Sequence, residues 1–211
     1  PYRSLFHNGC HLMVPIELHT ILRCIGTDGL VAYTIIAYAN TLVINITMGV
    51  SQGSQPLISF QNGRGDGTAI GNLLRYGLRT MCGIAAVCFT VLFLAAPKLV
   101  AVYLPEAGAE MLTFATDAFR RYSLCYLPVG FNIYIAGFLT AMERPLPAVS
   151  ISTGRGLILQ GSILLLLAAV LGGSSIWFAP VISEVLCLGL SVFFLLRLRR
   201  THPVFAKGKP A

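Results

Sequence analysis

Charge is scarce in this chain. Asp, Glu, Lys and Arg make up 11% of its 211 residues, and eight of them are acidic. An ordinary soluble domain carries charge on about a quarter of its residues, so the chain has less than half of what a water-facing surface needs. That shortage excludes a soluble globular protein and a disordered one. Close cysteine pairs are also absent. Cys10, Cys24, Cys82, Cys88, Cys125 and Cys187 are scattered, most of them inside apolar runs, which excludes a disulfide scaffold and reads as small buried thiols. The net charge of +7 is not carried on an aromatic-interleaved face, so no nucleic-acid partner is expected. No initiator methionine or signal-peptide pattern precedes Pro1, and the chain is expected to be a fragment or partial reading frame.

What is there is hydrocarbon-compatible sequence: 55% apolar residues and a mean hydropathy of +0.76. A helix needs roughly 20 apolar residues to cross about 30 Å of bilayer core. Residues 29–63 contain no charge at all, and 80–97 and 122–142 are similarly clean. The run 156–196 holds Glu184 as its single charge and is broken by Gly172, Gly173, Ser174 and Ser175, so it divides into two spans. The stretch 4–25 is apolar on average but includes His7, Asn8, His11, Glu17, His19 and Arg23. If it crosses, those groups line something other than lipid. The expected fold is therefore all-α: a polytopic membrane bundle of about six helices, near 4–25, 31–55, 78–104, 118–142, 148–171 and 176–197. A basic cytoplasmic tail follows over 201–211.

Orientation follows from the bias of Lys and Arg toward the cytoplasm. With the tail inside, eleven basic residues (Arg3, Arg64, Arg75, Arg79, Arg144, Arg155, Arg197, Arg199, Arg200, Lys207 and Lys209) lie on the cytoplasmic side. Arg23 and Lys98 lie outside, and Arg120 and Arg121 sit at a helix start, unassigned. Six crossings with both termini cytoplasmic satisfy this count.

The segment from Met48 to Asp66, MGVSQGSQPLISFQNGRGD, closely resembles a helix signature of the multidrug and toxic compound extrusion (MATE) family. The resemblance continues in order through LLRY (73–76), FNIYIAGF (131–138) before ERP (143–145), and ISEVL (182–186). LFHNG (5–9) and IGTDGLVAY (25–33) are similar to the start and end of the family's seventh helix and the loop after it. About nine residues fewer separate them than in the family pattern, some 13 Å of helix, so the first helix is expected to be shortened. The resemblance implies a C-terminal six-helix lobe of a two-lobe transporter in a bacterial inner membrane. It implies export of organic, often cationic, xenobiotics in exchange for protons or sodium by alternating access. The expected partners are membrane lipids, small organic cations, and a missing N-terminal lobe or a second copy of the chain. Two alternatives stay open: a lobe of a lipid-linked oligosaccharide flippase, which would need basic residues within its central spans, and a truncated lobe that only associates with a partner.

Two carboxylates are candidates for cation coupling. Glu17 matches, through PIELH (15–19), a family carboxylate that helps bind the coupling ion; a carboxylate in a low-dielectric cavity can load and release a proton as the cavity rehydrates. The family's frequent second carboxylate corresponds to Val129, which favours protons over sodium. Glu184 lies mid-helix, as a second relay site or as a packing acid, protonated or hydrogen-bonded to Ser183, Asn132 or a backbone group. Tyr33, Tyr38, Asn40, Asn45, Asn132 and Tyr134 are candidates for the polar contacts of an apolar substrate cavity, whose aromatic faces would hold cations. QNGRGD (61–66) lacks the Gly-Lys-Ser/Thr ending of a phosphate loop and reads as a cytoplasmic turn. Gly49 and Gly53 form a small-xxx-small pair suited to close helix contact. His7 and His11, with Cys10, Glu17 or His19 nearby, would permit a zinc site, but no His-Glu-x-x-His is present. Neither an enzyme activity nor a cofactor or structural metal is expected.

Overall fold

The structure, a computed structural model, describes residues 14–202 and Phe205. His7, Cys10 and His11 lie outside the described residues. The helices are α1 (14–24), α2 (Thr27–Arg64), α3 (Gly67–Tyr103), α4 (Ala109–Ser123), α5 (Tyr126–Ala141), α6 (Pro145–Thr153), α7 (Gln160–Val170) and α8 (Ala179–Thr201). A π-helical segment, Gly154–Leu159, joins α6 to α7, and a 3-10 turn, Gly173–Phe178, leads into α8. Five of the resulting rods are long and apolar enough to span a membrane: Thr27–Arg64, Gly67–Tyr103, Ala109–Ala141, Pro145–Val170 and Gly173–Thr201. The described part of α1 is eleven residues, about 16 Å of helix at 1.5 Å per residue. Together they form a six-helix bundle, and the chain is a multi-pass membrane protein.

Several rods overrun the sequence-based spans, for local reasons. The helix α2 has 38 residues and α3 has 37, each about 56 Å long and well beyond the hydrocarbon core. Both continue past the apolar runs because nothing but the Gly65–Asp66 corner stops them. Gly65 takes the left-handed conformation (φ 69°) and closes α2, as glycine at a helix C-terminus does at least cost. Asp66 caps α3 by accepting from the Ala69 N–H at 2.9 Å. The turn expected over 61–66 is thus confined to its last two residues. At the other end, α4 and α5 are separated by a brief break at Leu124 and Cys125.

The helix α5 is the central column, packing on α2, α3, α6 and α8. Small residues let α2 approach it: a Cβ on Gly137 would stand 2.2 Å from Ser51 Oγ, and one on Gly130 would stand 3.3 Å from Thr47 Cγ2. Ser51 Oγ also donates across the gap to the Ile133 carbonyl at 3.3 Å. The Gly49 and Gly53 pair makes no such approach, since both positions open onto free space. A helix face carries one contact stripe, and here that stripe runs through Val43, Thr47, Ser51 and Ile58.

Apolar packing forms two cores stacked along the bundle. One surrounds Phe119, Tyr126 and Trp177; the other surrounds Met81, Tyr134, Phe138 and Met142. Near their junction lie the buried polar residues Asn132, Ser183, Glu184 and Ser191. The outer faces of the rods carry exposed leucines, valines and phenylalanines, the arrangement of a helix surface solvated by lipid.

Candidate functional site

Two polar clusters meet where α7 and α8 cross the interior. The first centres on Glu17 of α1. Tyr33 of α2 donates its hydroxyl to Glu17 Oε2, and the Gln160 carboxamide donates to Oε1 at 3.0 Å. Gln160 is itself held, its Oε1 accepting from Ser183 Oγ at 2.6 Å. Glu17, Tyr33 and Gln160 face a small cavity of about 20 Å³, room for a water molecule, whose other walls include Tyr122 of α4, Trp177 of the 3-10 turn and Pro180 of α8. Five separate elements therefore surround one carboxylate, with two hydrogen-bond donors aimed at it and aromatic faces around it.

The second cluster centres on Glu184, 8% exposed. Arg155 bonds Glu184 Oε1 at 3.1 Å, forming an ion pair. Asn132 donates to Oε2 at 2.7 Å and to the Glu184 carbonyl at 2.9 Å, and accepts from Ser191 Oγ at 2.9 Å. Asn132 is fully buried, yet both of its N–H groups and its oxygen are engaged, which is the condition for tolerating a polar group there.

Arg155 corrects the charge count. The count places it with the cytoplasmic basic residues although the expected span 148–171 already contains it; the helix starts at Pro145, ten residues and about 15 Å along the axis before it. The guanidinium therefore meets Glu184 inside the bundle. Glu184 is thereby ion-paired as well as hydrogen-bonded. The π segment contributes: its six residues, GRGLIL, wind more widely than an α-helix, and such turns recur at functional positions.

The six residues proposed to line a substrate cavity do not converge. Tyr33 lines the Glu17 pocket and Asn132 anchors Glu184. Tyr38 is 63% exposed and stacks on Tyr103, with ring centroids 6.0 Å apart. Asn40 is half-buried and Asn45 exposed on α2. Tyr134 is buried and donates to the Leu73 carbonyl at 3.1 Å, filling the space left by Gly77 of α3. Val129 is buried in the apolar core. Arg120 lies over the Phe93 ring and Arg121 over that of Phe178. No group of three or more His, Cys, Asp or Glu side chains is placed to hold a metal among the described residues. Gln160 and Ser191 join the network without a sequence signal, and Ser183 bonds Gln160 where Glu184 is its expected partner: single polar residues in apolar helices show no periodicity, and their meeting depends on tertiary register.

The described residues thus form a helical membrane bundle with two hydrogen-bonded carboxylates in its interior. The chain belongs to the MatE family, whose model matches residues 18–160. It is 22% identical over 213 residues to the multidrug export protein MepA of Staphylococcus haemolyticus (strain JCSC1435), covering 94% of this chain and 46% of that protein. The fold matches a MOP superfamily transporter from Pyrococcus furiosus Vc1 (DSM3638) with a TM-score of 0.86 at 15% identity, over 99% of this chain and 46% of that one. It also matches a MATE crystallised in complex with MaL6, with a TM-score of 0.85 at 14% identity, over 95% and 46%. The chain spans about half the length of these relatives.

Proposed function

We propose that the chain is the C-terminal lobe of a bacterial multidrug efflux antiporter, which exports organic, often cationic, compounds in exchange for protons or sodium. The observation that carries the reading is Glu17: an acid on α1, facing a pocket lined by Tyr33, Tyr122 and Trp177. Val129 stands where the family pattern often has a second carboxylate, and a single carboxylate favours the proton. Glu184 serves in this reading as the fixed partner of Arg155, leaving Glu17 as the titrating group. The flippase alternative gains nothing from Arg155, whose charge is already matched by Glu184. In place, the lobe lies in the inner membrane with both termini cytoplasmic, and an N-terminal lobe or a second copy completes the substrate path.

The test is Glu17→Gln in a transporter assembled from this chain and an N-terminal six-helix lobe, since glutamine keeps shape but removes titration. Proton-driven export of a fluorescent cation is expected to fall at least about tenfold, with binding of that cation retained. Export at the parental rate, at equal expression, would sink the reading.

A further inference from the structure

The Glu17 cluster contains an ambiguity that chemistry resolves in two different ways. Ser183 has one hydroxyl hydrogen but two acceptors within reach, Gln160 Oε1 at 2.6 Å and the Pro180 carbonyl at 3.0 Å. Gln160 has an oxygen at one end of its amide and two N–H groups at the other. With Glu17 ionised, the amide must point N–H at the carboxylate, as observed at 3.0 Å, because its oxygen there would face another acceptor. The amide oxygen then takes the hydroxyl hydrogen of Ser183.

We propose that Gln160 and Ser183 form a reversible hydrogen-bond relay that reads the protonation state of Glu17, with Gln160 the positioning residue for that carboxylate. When Glu17 Oε1 takes a proton from water in the pocket, the acid becomes a donor. The amide turns over, Gln160 Oε1 accepts from the acid, and the amide N–H donates to Ser183 Oγ. The Ser183 hydrogen swings to the Pro180 carbonyl. In each state every contact along the row pairs a donor with an acceptor, and apart from the proton on Glu17 only rotations about single bonds separate the two states. The change is delivered to α8 at Pro180 and Ser183, one residue before the Glu184 that Arg155 and Asn132 hold in place.

The surroundings leave the relay to Glu17. The titratable groups facing it are Tyr33 from α2 and Tyr122 from α4; Trp177 and Pro180 complete the wall without titrating. From the π segment and α8, Arg155 and Glu184 are paired with each other. On α1 itself, His19 and Arg23 are exposed.

This inference rests on the proposed titration of Glu17, and one experiment separates the two. The full chain in phosphatidylcholine vesicles is stepped in pH, and infrared difference spectra are recorded. A carboxyl band that disappears in Glu17→Gln is expected, accompanied by a side-chain amide change with the same midpoint. Gln160→Met, which keeps volume, is expected to abolish the amide change and raise the carboxyl midpoint by about one pH unit, because the ionised acid loses a stronger bond than the neutral one. Ser183→Ala leaves both Glu17–Gln160 bonds available, so the midpoint should stay close to that of the parent while the amide band shifts at both pH extremes. No Glu17-dependent carboxyl band overturns the Glu17 reading itself. A Glu17 band whose midpoint and amide signal are unchanged in Gln160→Met, or an amide band unaffected by Ser183→Ala, overturns the relay alone.

Discussion

Replacing Glu184 by Gln is conservative in shape, and the geometry makes it costly. Both partners of the carboxylate are donors: Arg155 at 3.1 Å on Oε1 and Asn132 at 2.7 Å on Oε2. A carboxamide offers one oxygen, so whichever way it turns, an N–H faces another N–H. Keeping Asn132 satisfied leaves the guanidinium without its counter-ion, and its side chain is 23% exposed, too buried for water to replace the carboxylate in full. Breaking such a pair from one side costs about 3 kcal/mol. Arg155→Met should cost a similar amount, by leaving the carboxylate with Asn132 alone. In the double variant no charge remains, the carboxamide oxygen still accepts from Asn132, and the carboxamide N–H group is the one unsatisfied donor, so the total should be near 2 kcal/mol. The singles sum to about 6 kcal/mol, giving a coupling of about 4 kcal/mol. Equilibrium unfolding in lipid bicelles reads this directly, because Trp177 is the single tryptophan and is 2% exposed. Strict additivity, or a Glu184→Gln cost below about 0.5 kcal/mol, would refute the argument.

Gly77→Val should destabilise the bundle by more than about 3 kcal/mol, since a Cβ there would fall 1.9 Å from Tyr134; a thermal melt in detergent checks this, and Tyr134→Ala should relieve part of the loss. His202 follows α8, and burial first and Arg144 second lower its pKa from 6.5, with Glu143 opposing. The unfolded chain therefore binds the proton more readily, so stability is complete above about pH 6.5 and declines as the pH falls through that value toward the folded one. The melting temperature should drop less on acidification in His202→Gln than in the parent. For topology, single cysteines introduced at position 64 and after Arg197 should label from one side of the membrane and one at position 106 from the other, and labelling of all three from the same side would overturn the orientation.

The fold was legible because its signals are linear. Runs without charge mark the five long spans, and the stretch from Met48 to Asp66 carries the family pattern within nineteen consecutive residues. The site was legible only in part. Glu17 and Glu184 stand out because an acid within apolar sequence is conspicuous. Gln160 and Ser191 do not, since an uncharged polar residue in a helix is as compatible with lipid-facing packing as with a network. Arg155 was conspicuous but misplaced: it falls inside the expected span 148–171, and counting it with the cytoplasmic charges overlooked that Glu184 could pair with it in the interior. The Gly77–Tyr134 contact joins residues far apart in sequence, and no local rule announces it.

The central position of α5 also bears on how such a chain is assembled. Its α4–α5 rod is the third of the five long apolar rods, and 78% of its apolar window is buried within the bundle. Synthesis from the N-terminus releases α2 and α3 before α5, so the groove that receives Gly130 and Gly137 is made before its occupant exists. During that interval Ser51, whose side chain later crosses to Ile133, has its own helix as the nearest source of acceptors. The helices α2 and α3, joined at Gly65 and Asp66, contact each other directly, so that pair can form before the column is made. The column completes it, and α8 adds the Asn132–Glu184 bonds last, so the most polar part of the interior closes only after its apolar frame is standing.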